Sequence, residues 1–208
     1  DGRGNFTRSE HALPFTKFES TSTVAPADYD GDGDNDLFVG SRLEPLRYGY
    51  PVNGYIFNND GTGKFRDVTS EVAPGLVGVG MITDAVWADI DGDGDQDLMI
   101  SGEYMPLTVF VNTGKGFENA TVDAGLADTH GWWNKISAAD LDNDGDIDFV
   151  VGNHGLNSRF RASHDRPVCM FVHDFDGNGS TEHIICTYNG DTAYPLVLRH
   201  DLLSQIPS

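Results

Sequence analysis

Nine residues, Asp28-Tyr29-Asp30-Gly31-Asp32-Gly33-Asp34-Asn35-Asp36, constrain this chain more than any other stretch. Acids stand at relative positions 1, 3, 5 and 9, and glycine stands at 6. The loop recurs as Asp89, Asp91, Asp93, Gly94, Asp97 and as Asp140, Asp142, Asp144, Gly145, Asp148. A fourth copy, Asp174, Asp176, Asn178, Gly179, Glu182, substitutes one amide and one longer carboxylate and keeps the oxygens. A hard cation such as Ca²⁺ takes roughly six to eight oxygens, and alternate residues of a tight loop supply them at one centre. Position 7, held by Asp34, Asp95, Asp146 and Ser180, offers its backbone carbonyl and leaves its side chain outside.

One loop of this kind would prove little, because Asp/Gly turns form without metal. Four in register argue against plain solvated turns and for about four Ca²⁺ sites. An EF-hand loop opens in the same way but ends in glutamate at position 12, between helices. Position 12 here is Val39, Ile100, Val151 and Ile185, each inside a β-favouring run such as Leu37-Phe38-Val39 or Phe149-Val150-Val151. None of the four can ligate a metal, which excludes the EF-hand.

The loops also explain the charge. Of 33 acids, eighteen lie in them, and the formal net charge is −20. Four Ca²⁺ would leave −12, so nucleic acid and anionic lipid make poor partners for a chain without a basic patch. No apolar run approaches the ~20 residues of a membrane span. Cys169 and Cys186 flank the fourth loop. If that loop joins an antiparallel hairpin they face one another, either as a disulfide or as two small buried hydrophobes.

A second element recurs with the loops. Tyr55 to Phe65 and Val109 to Phe117 each place Asn, Asp and Gly between alternating apolar residues, the strongest short-range hairpin signal. Asp1 to Phe6 reads as the tip of a third such hairpin. From each closing phenylalanine (Phe6, Phe65, Phe117) to the next loop is 22, 24 and 23 residues, and the phenylalanines repeat at 59 and 52. Short strands in such units fit blades of a β-propeller, each burying its faces on its neighbours. The expected fold is all-β: a single propeller segment over 1–208 of about four blades, near 1–54, 55–105, 106–160 and 161–208, the last atypical. Only His200 to Ile206 carries a helical apolar period, as a helix capped by Asp201.

Asp36-Leu37-Phe38-Val39-Gly40 and Asp148-Phe149-Val150-Val151-Gly152 resemble the FG-GAP/VCBS repeat of integrin-α-like propellers. Asn59-Asp60-Gly61-x-Gly63-Lys64-Phe65-x-Asp67-Val68-Thr69 is similar to the variant in large exported bacterial proteins and in the cartilage-acidic-protein group. Val39-Gly40-Ser41-Arg42 with Arg47-Tyr48, Gly131-Trp132-Trp133-Asn134, and Gly152 to Arg159 extend the likeness over nearly the whole chain. The resemblance implies Ca²⁺ in the loops and a non-catalytic adhesion, binding or scaffold role outside the cytoplasm, extracellular or at the cell surface. The fourth unit departs from it by lacking the Gly-rich hairpin. The expectation is therefore an open part of a larger propeller, its edges covered by the rest of a longer polypeptide, neighbouring copies or another subunit; the alternative is a compact four-bladed ring.

Trp132-Trp133 beside His130 and Asn134 makes either a sugar-stacking platform or, for at least one Trp, blade core. His154, His164, His173 and His183 lack zinc-ligand spacing, and no Gly-x-Ser-x-Gly, Walker or His-Glu-x-x-His motif occurs. Asn5-Phe6-Thr7, Asn119-Ala120-Thr121 and Asn178-Gly179-Ser180 fit the glycosylation pattern, the third discounted because it lies in a metal loop. The competing functions are a polysaccharide lyase or hydrolase on a Ca²⁺-bearing propeller and a structural subunit of a surface assembly. The ligand, protein or glycan, is not legible in the sequence.

Overall fold

The computed structural model describes residues 3–6, 8, 13–155 and 158–206. Its first sheet is a four-stranded antiparallel meander of β1 (Ser20–Ala27), β2 (Asp36–Leu43), β3 (Gly54–Asn59) and β4 (Phe65–Asp67). The first acidic loop joins β1 to β2, and the Asn-Asp-Gly hairpin joins β3 to β4, with Asn59 opposite Phe65. Asp60 Oδ1 accepts the Thr62 N–H at 2.9 Å, and Gly61 adopts φ +74, so the turn needs its Asp and Gly.

The second sheet repeats this with β5 (Met81–Ala88), β6 (Asp97–Met105), β7 (Thr108–Asn112) and β8 (Phe117–Asn119). Beyond a bulge at Tyr104, which takes φ +58, β6 also reaches β9 (Gly131–Ala139) through Glu103↔Trp132 and Met105↔Gly131. β9 pairs with β10 (Asp148–Asn153), and no third or fourth strand follows there. The third sheet is β11 (Cys169–His173), β12 (Glu182–Asn189) and β13 (Thr192–Pro195).

Apolar alternation on the strands packs the first sheet against the second. Phe38, Ile56, Leu76, Ile82, Leu98, Ile100 and Phe110 are all fully buried in one cluster. Truncating one of its phenylalanines to alanine costs about 3–5 kcal/mol. Gly102 permits the close approach of β5, since a Cβ there would lie 2.3 Å from the Met81 carbonyl oxygen. A smaller cluster of Met99, Leu107, Val109 and Ile136 carries the contact onward to Trp133, Phe149 and Val151.

The leading strands β1, β5 and β9 are bolted together in one pattern. Ser22 Oγ donates to the Ile82 carbonyl at 2.7 Å, and Thr83 Oγ1, its counterpart one unit on, donates to the Trp133 carbonyl at 2.8 Å. Buried Asp84 accepts from Thr23 Oγ1 at 3.2 Å, Lys135 Nζ at 2.9 Å and the Ile136 N–H at 2.8 Å, so one carboxylate joins three units. The third sheet meets the loop between β2 and β3 through side-chain contacts: His183 Nε2 lies 2.6 Å from the Tyr48 carbonyl, and Gly49 backs onto Val172. No strand of the third sheet pairs with the first, so among the described residues the sheets form an open, propeller-like all-β segment.

Several expectations change. Residues 3–6 lie in no strand and Phe6 is exposed, so no third hairpin is seen there; Asp1 and Gly2 are outside the described residues. The sheets begin at the strand before the acidic loop and end on the hairpin, whereas the sequence period by itself places a unit boundary at the hairpin. Two short helical turns, α1 (Thr69–Val72) and a 3₁₀ turn at Pro74–Leu76, fill the connection after β4. The final helix α2 (Arg199–Gln205) has Leu198 at its N-cap, with Asp201 in its first turn instead. Cys169 and Cys186 face each other in register as free thiols.

Candidate metal centres

The loops share most of their wiring. The position 1 carboxylate reaches across the turn to backbone N–H groups, at positions 4 and 6 in the first three loops, with Asp32 N–H added at 3.1 Å in the first, and at positions 5 and 6 in the fourth. Asp28 accepts from Gly31 at 2.8 Å and Gly33 at 3.0 Å, and Asp89 accepts from Gly92 at 2.8 Å and Gly94 at 3.1 Å. Asp140 accepts from Asn143 at 2.7 Å and Gly145 at 3.2 Å, and Asp174 accepts from Asn178 at 3.0 Å and Gly179 at 2.9 Å. Positions 3 and 5 each accept the N–H two residues on, as in Asp91 from Asp93 at 3.2 Å and Asp93 from Asp95 at 2.9 Å. These Asx turns require left-handed backbone at position 6, where Gly33, Gly94, Gly145 and Gly179 have φ between +86 and +102. Position 4 is left-handed too, and in the third loop Asn143 takes the place of glycine at φ +64.

Position 9 ties the loop shut. The N–H of the second loop residue donates to it in every copy: Tyr29 to Asp36 at 3.4 Å, Ile90 to Asp97 at 2.8 Å, Leu141 to Asp148 at 2.9 Å and Phe175 to Glu182 at 2.8 Å. In the first two copies the third strand adds another donor, Asn59 N–H at 2.8 Å and Asn112 N–H at 2.7 Å.

This wiring gathers carboxylates. Oxygens of Asp28, Asp30 and Asp32 lie within 4.8 Å of one another, as do those of Asp89, Asp91 and Asp97, of Asp140, Asp142 and Asp148, and of Asp174, Asp176 and Glu182. Ligands of one Ca²⁺ at ~2.3–2.6 Å stand no more than about 5 Å apart, so these groups suit a single ion. The donors are all hard oxygens, as that ion prefers. Like charges at this spacing repel by about 1 kcal/mol per pair in water and several-fold more where water is scarce, which a dication cancels. The compact groups of acids leave out Asp36 in the first loop and Asp93 and Asp144 in the second and third.

Local electrostatics record the crowding. Burial, with Asp30 and Asp34 adding, pushes the Asp36 carboxyl up to about 6, while the Asn59 and Tyr29 N–H groups oppose the shift. Burial and then Asp97, Asp93 and Asp89 raise Asp91. At position 7, Asp95, Asp146 and Ser180 are exposed, as expected. Asp34 is not simply outside: it is half-buried against the hairpin at Gly61, with Oδ1 buried and unpartnered.

Several working residues had no local signature. Asn58 Nδ2 donates to Asp30 at 2.8 Å, a second bond from hairpin to loop. Buried Glu103 accepts from Arg42 at 2.6 Å and from the Tyr48 hydroxyl at 2.5 Å. Thr69 and Thr121 turn their hydroxyl oxygens to the Ile56 and Val109 N–H groups at 2.9 and 3.1 Å. Thr121 thereby makes Asn119-Ala120-Thr121 the structural counterpart of Asp67-Val68-Thr69, with Asn119 Oδ1 accepting the Thr121 N–H at 3.0 Å; the Asn5-Phe6-Thr7 sequon includes Thr7, outside the described residues. The two tryptophans divide: Trp133 packs into the second core cluster with Nε1 donating to Thr129 O at 2.9 Å, while Trp132 stacks on His154. The four histidines join none of the metal-capable groups found among the described residues.

The model of the FG-GAP-like repeat matches residues 46–100 and 89–151, and that of the FG-GAP repeat matches residues 20–57. No curated protein is significantly similar. Among solved structures, the crystal structure of the V. cholerae biofilm matrix protein Bap1 aligns with a TM-score of 0.44 at 20% identity, over 88% of this chain and 32% of that one. The chain thus spans about a third of that protein's length. No helix among the described residues is long and apolar enough to cross a membrane.

Proposed function

Since the chain belongs to the FG-GAP repeat family, we propose that it is a calcium-dependent, non-catalytic binding module working outside the cytoplasm. The observation that carries this is the fourfold recurrence of the acidic loop, with three acid oxygens within 4.8 Å of one another in every copy. In this reading positions 1, 3, 5 and 9 of each loop, with the position 7 carbonyl, hold one Ca²⁺, four in all. Bound ion would supply positive charge and a fixed geometry, and no step of chemistry.

The chain's own residues transmit that rigidity. Each loop joins two paired strands, and Asp36 and Asp97 also grip the third strand of their sheet through Asn59 and Asn112. Asp84 then links one leading strand to the next. A stiffened row of sheets presents its surfaces in fixed relation, which is what a binding module requires. Extracellular modules commonly bind Ca²⁺ at about 10⁻⁴–10⁻³ M, a range met outside cells and not in cytosol. The open edges at β4 and β10 fit packing against the remainder of a longer polypeptide or a neighbouring copy.

An array carrying glycans and extracellular proteins, probed with this chain in millimolar Ca²⁺ and in chelator, tests the reading. Retention in Ca²⁺ that disappears in chelator is expected, with no array component consumed. Retention of equal strength in chelator, or turnover of the retained component, would contradict it.

A further inference from the structure

Between β9, the bulged end of β6 and the start of β11 lies a cavity of about 790 Å³, inside the ~300–1,000 Å³ range of small-molecule sites. We infer that it binds a neutral saccharide against the aromatic cluster centred on Trp132. The inference rests on the binding-module reading above and names a ligand class for one surface of it.

An aromatic strip forms the wall. Trp132 stands at its centre, with His154 stacked 4.7 Å away at 19°, Tyr104 at 5.6 Å and Phe160 at 5.8 Å. Tyr104 is aimed there by the bulge that gives it φ +58. His154 lies nearly parallel over one face of Trp132. A pyranose would therefore bring its C–H surface to the remaining aromatic surface of Trp132, Tyr104 and Phe160, whose rings touch one another instead of surrounding an empty centre as a socket for a cation would.

Polar groups complete the match. Trp87 and Trp133 donate their indole N–H to the Ala25 and Thr129 carbonyls at 3.0 and 2.9 Å, whereas Trp132 Nε1 has no acceptor among the described residues. Asp128 and Asn153 also line the cavity and supply an acceptor and an amide, the pairing that ring hydroxyls use. Among the described residues His130, His154 and His164 line the cavity and no Lys or Arg does; Arg159 lies over the Phe160 ring at 5.5 Å without joining the lining. A chain of charge −20 with Asp128 in the wall disfavours uronates, sulfated sugars and phosphates.

The three tryptophans give three indole N–H resonances, assignable by W132F, which makes Trp132 a reporter. The ¹⁵N-labelled protein in Ca²⁺ is titrated with cellotetraose, N-acetylchitotetraose and mannotetraose, and separately with tetragalacturonate and choline, each up to about 10 mM, a concentration that registers even weak single-site binding. At least one neutral tetrasaccharide should move the Trp132 resonance and leave those of Trp87 and Trp133 in place. W132A should weaken that binding at least tenfold while keeping the other two resonances and the Ca²⁺ stoichiometry. If no neutral sugar moves the resonance, or only choline or tetragalacturonate does, the inference is overturned. A sugar response in a protein that takes up no Ca²⁺ would sink the metal reading and leave this one standing.

Discussion

Asp97 holds Asn112 by its backbone: Oδ1 accepts the Asn112 N–H at 2.7 Å, while Oδ2 accepts the Ile90 N–H at 2.8 Å. The last carboxylate of the loop is therefore also a rung between β6 and β7. Asp148, its counterpart in the third loop, has the loop N–H from Leu141 but no third-strand donor. Asp97→Asn should cost about 2–3 kcal/mol in chelator, since a buried charged acceptor loses part of its pairing. Asp148→Asn, in a half-buried site, should cost less than about 1 kcal/mol. Urea unfolding of both variants checks this, and equal losses would contradict it.

Asp84 joins three units, so its loss should exceed that of any one partner. Asp84→Ala leaves the Ile136 N–H and Thr23 hydroxyl without their acceptor and should cost about 2–4 kcal/mol. Lys135 is largely exposed, and Lys135→Ala should cost under about 1 kcal/mol. Denaturant midpoints for the pair decide the matter; a larger loss from the lysine would show that the joint is mainly an ion pair.

Thr69→Val keeps the shape of a buried side chain and removes the acceptor of the Ile56 N–H. Thr121→Val does the same to Val109. Each should lower stability by about 1–3 kcal/mol. Thermal melts indistinguishable from the parent would mean the two hydroxyls carry no structural role.

Without metal, pH should act in an unusual direction. Asp36 is raised in the folded chain to about 6, against about 3.9 unfolded. The folded state therefore holds the proton more tightly, and stability in chelator should fall as pH rises from about 4 to about 6. With Ca²⁺ present the ionised carboxylates bind the ion, so the same rise in pH should increase stability. Melting series at fixed ionic strength test the pair of slopes; matching slopes in Ca²⁺ and chelator would contradict the assignment.

What the sequence made legible follows from how local each cause is. A hard cation demands oxygens at set spacings, and an Asx turn demands glycine at position 6, so the loops showed themselves residue by residue. The Asn-Gly hairpins did so for the same reason. The starting point of a sheet is not local: a period has no origin, and only pairing shows that β1 to β4 open on the loop strand and close on the hairpin. Asp84 and Glu103 look like any strand acids until partners 51 to 61 residues away are in place. The division of labour between Trp132 and Trp133 likewise depends on the neighbours each meets, which adjacent identical residues cannot reveal.

Calorimetric titration of chelator-stripped protein with CaCl₂ tests the central claim most directly. About four equivalents should bind, with dissociation constants near 10⁻⁴–10⁻³ M, stabilising by about 0.4–1.4 kcal/mol per site at millimolar Ca²⁺. Replacing the position 1 acids singly, Asp28→Ala, Asp89→Ala, Asp140→Ala and Asp174→Ala, should each remove about one equivalent. No saturable heat up to about 10 mM Ca²⁺, far above that affinity range, or a stoichiometry unmoved by these substitutions, would contradict the account.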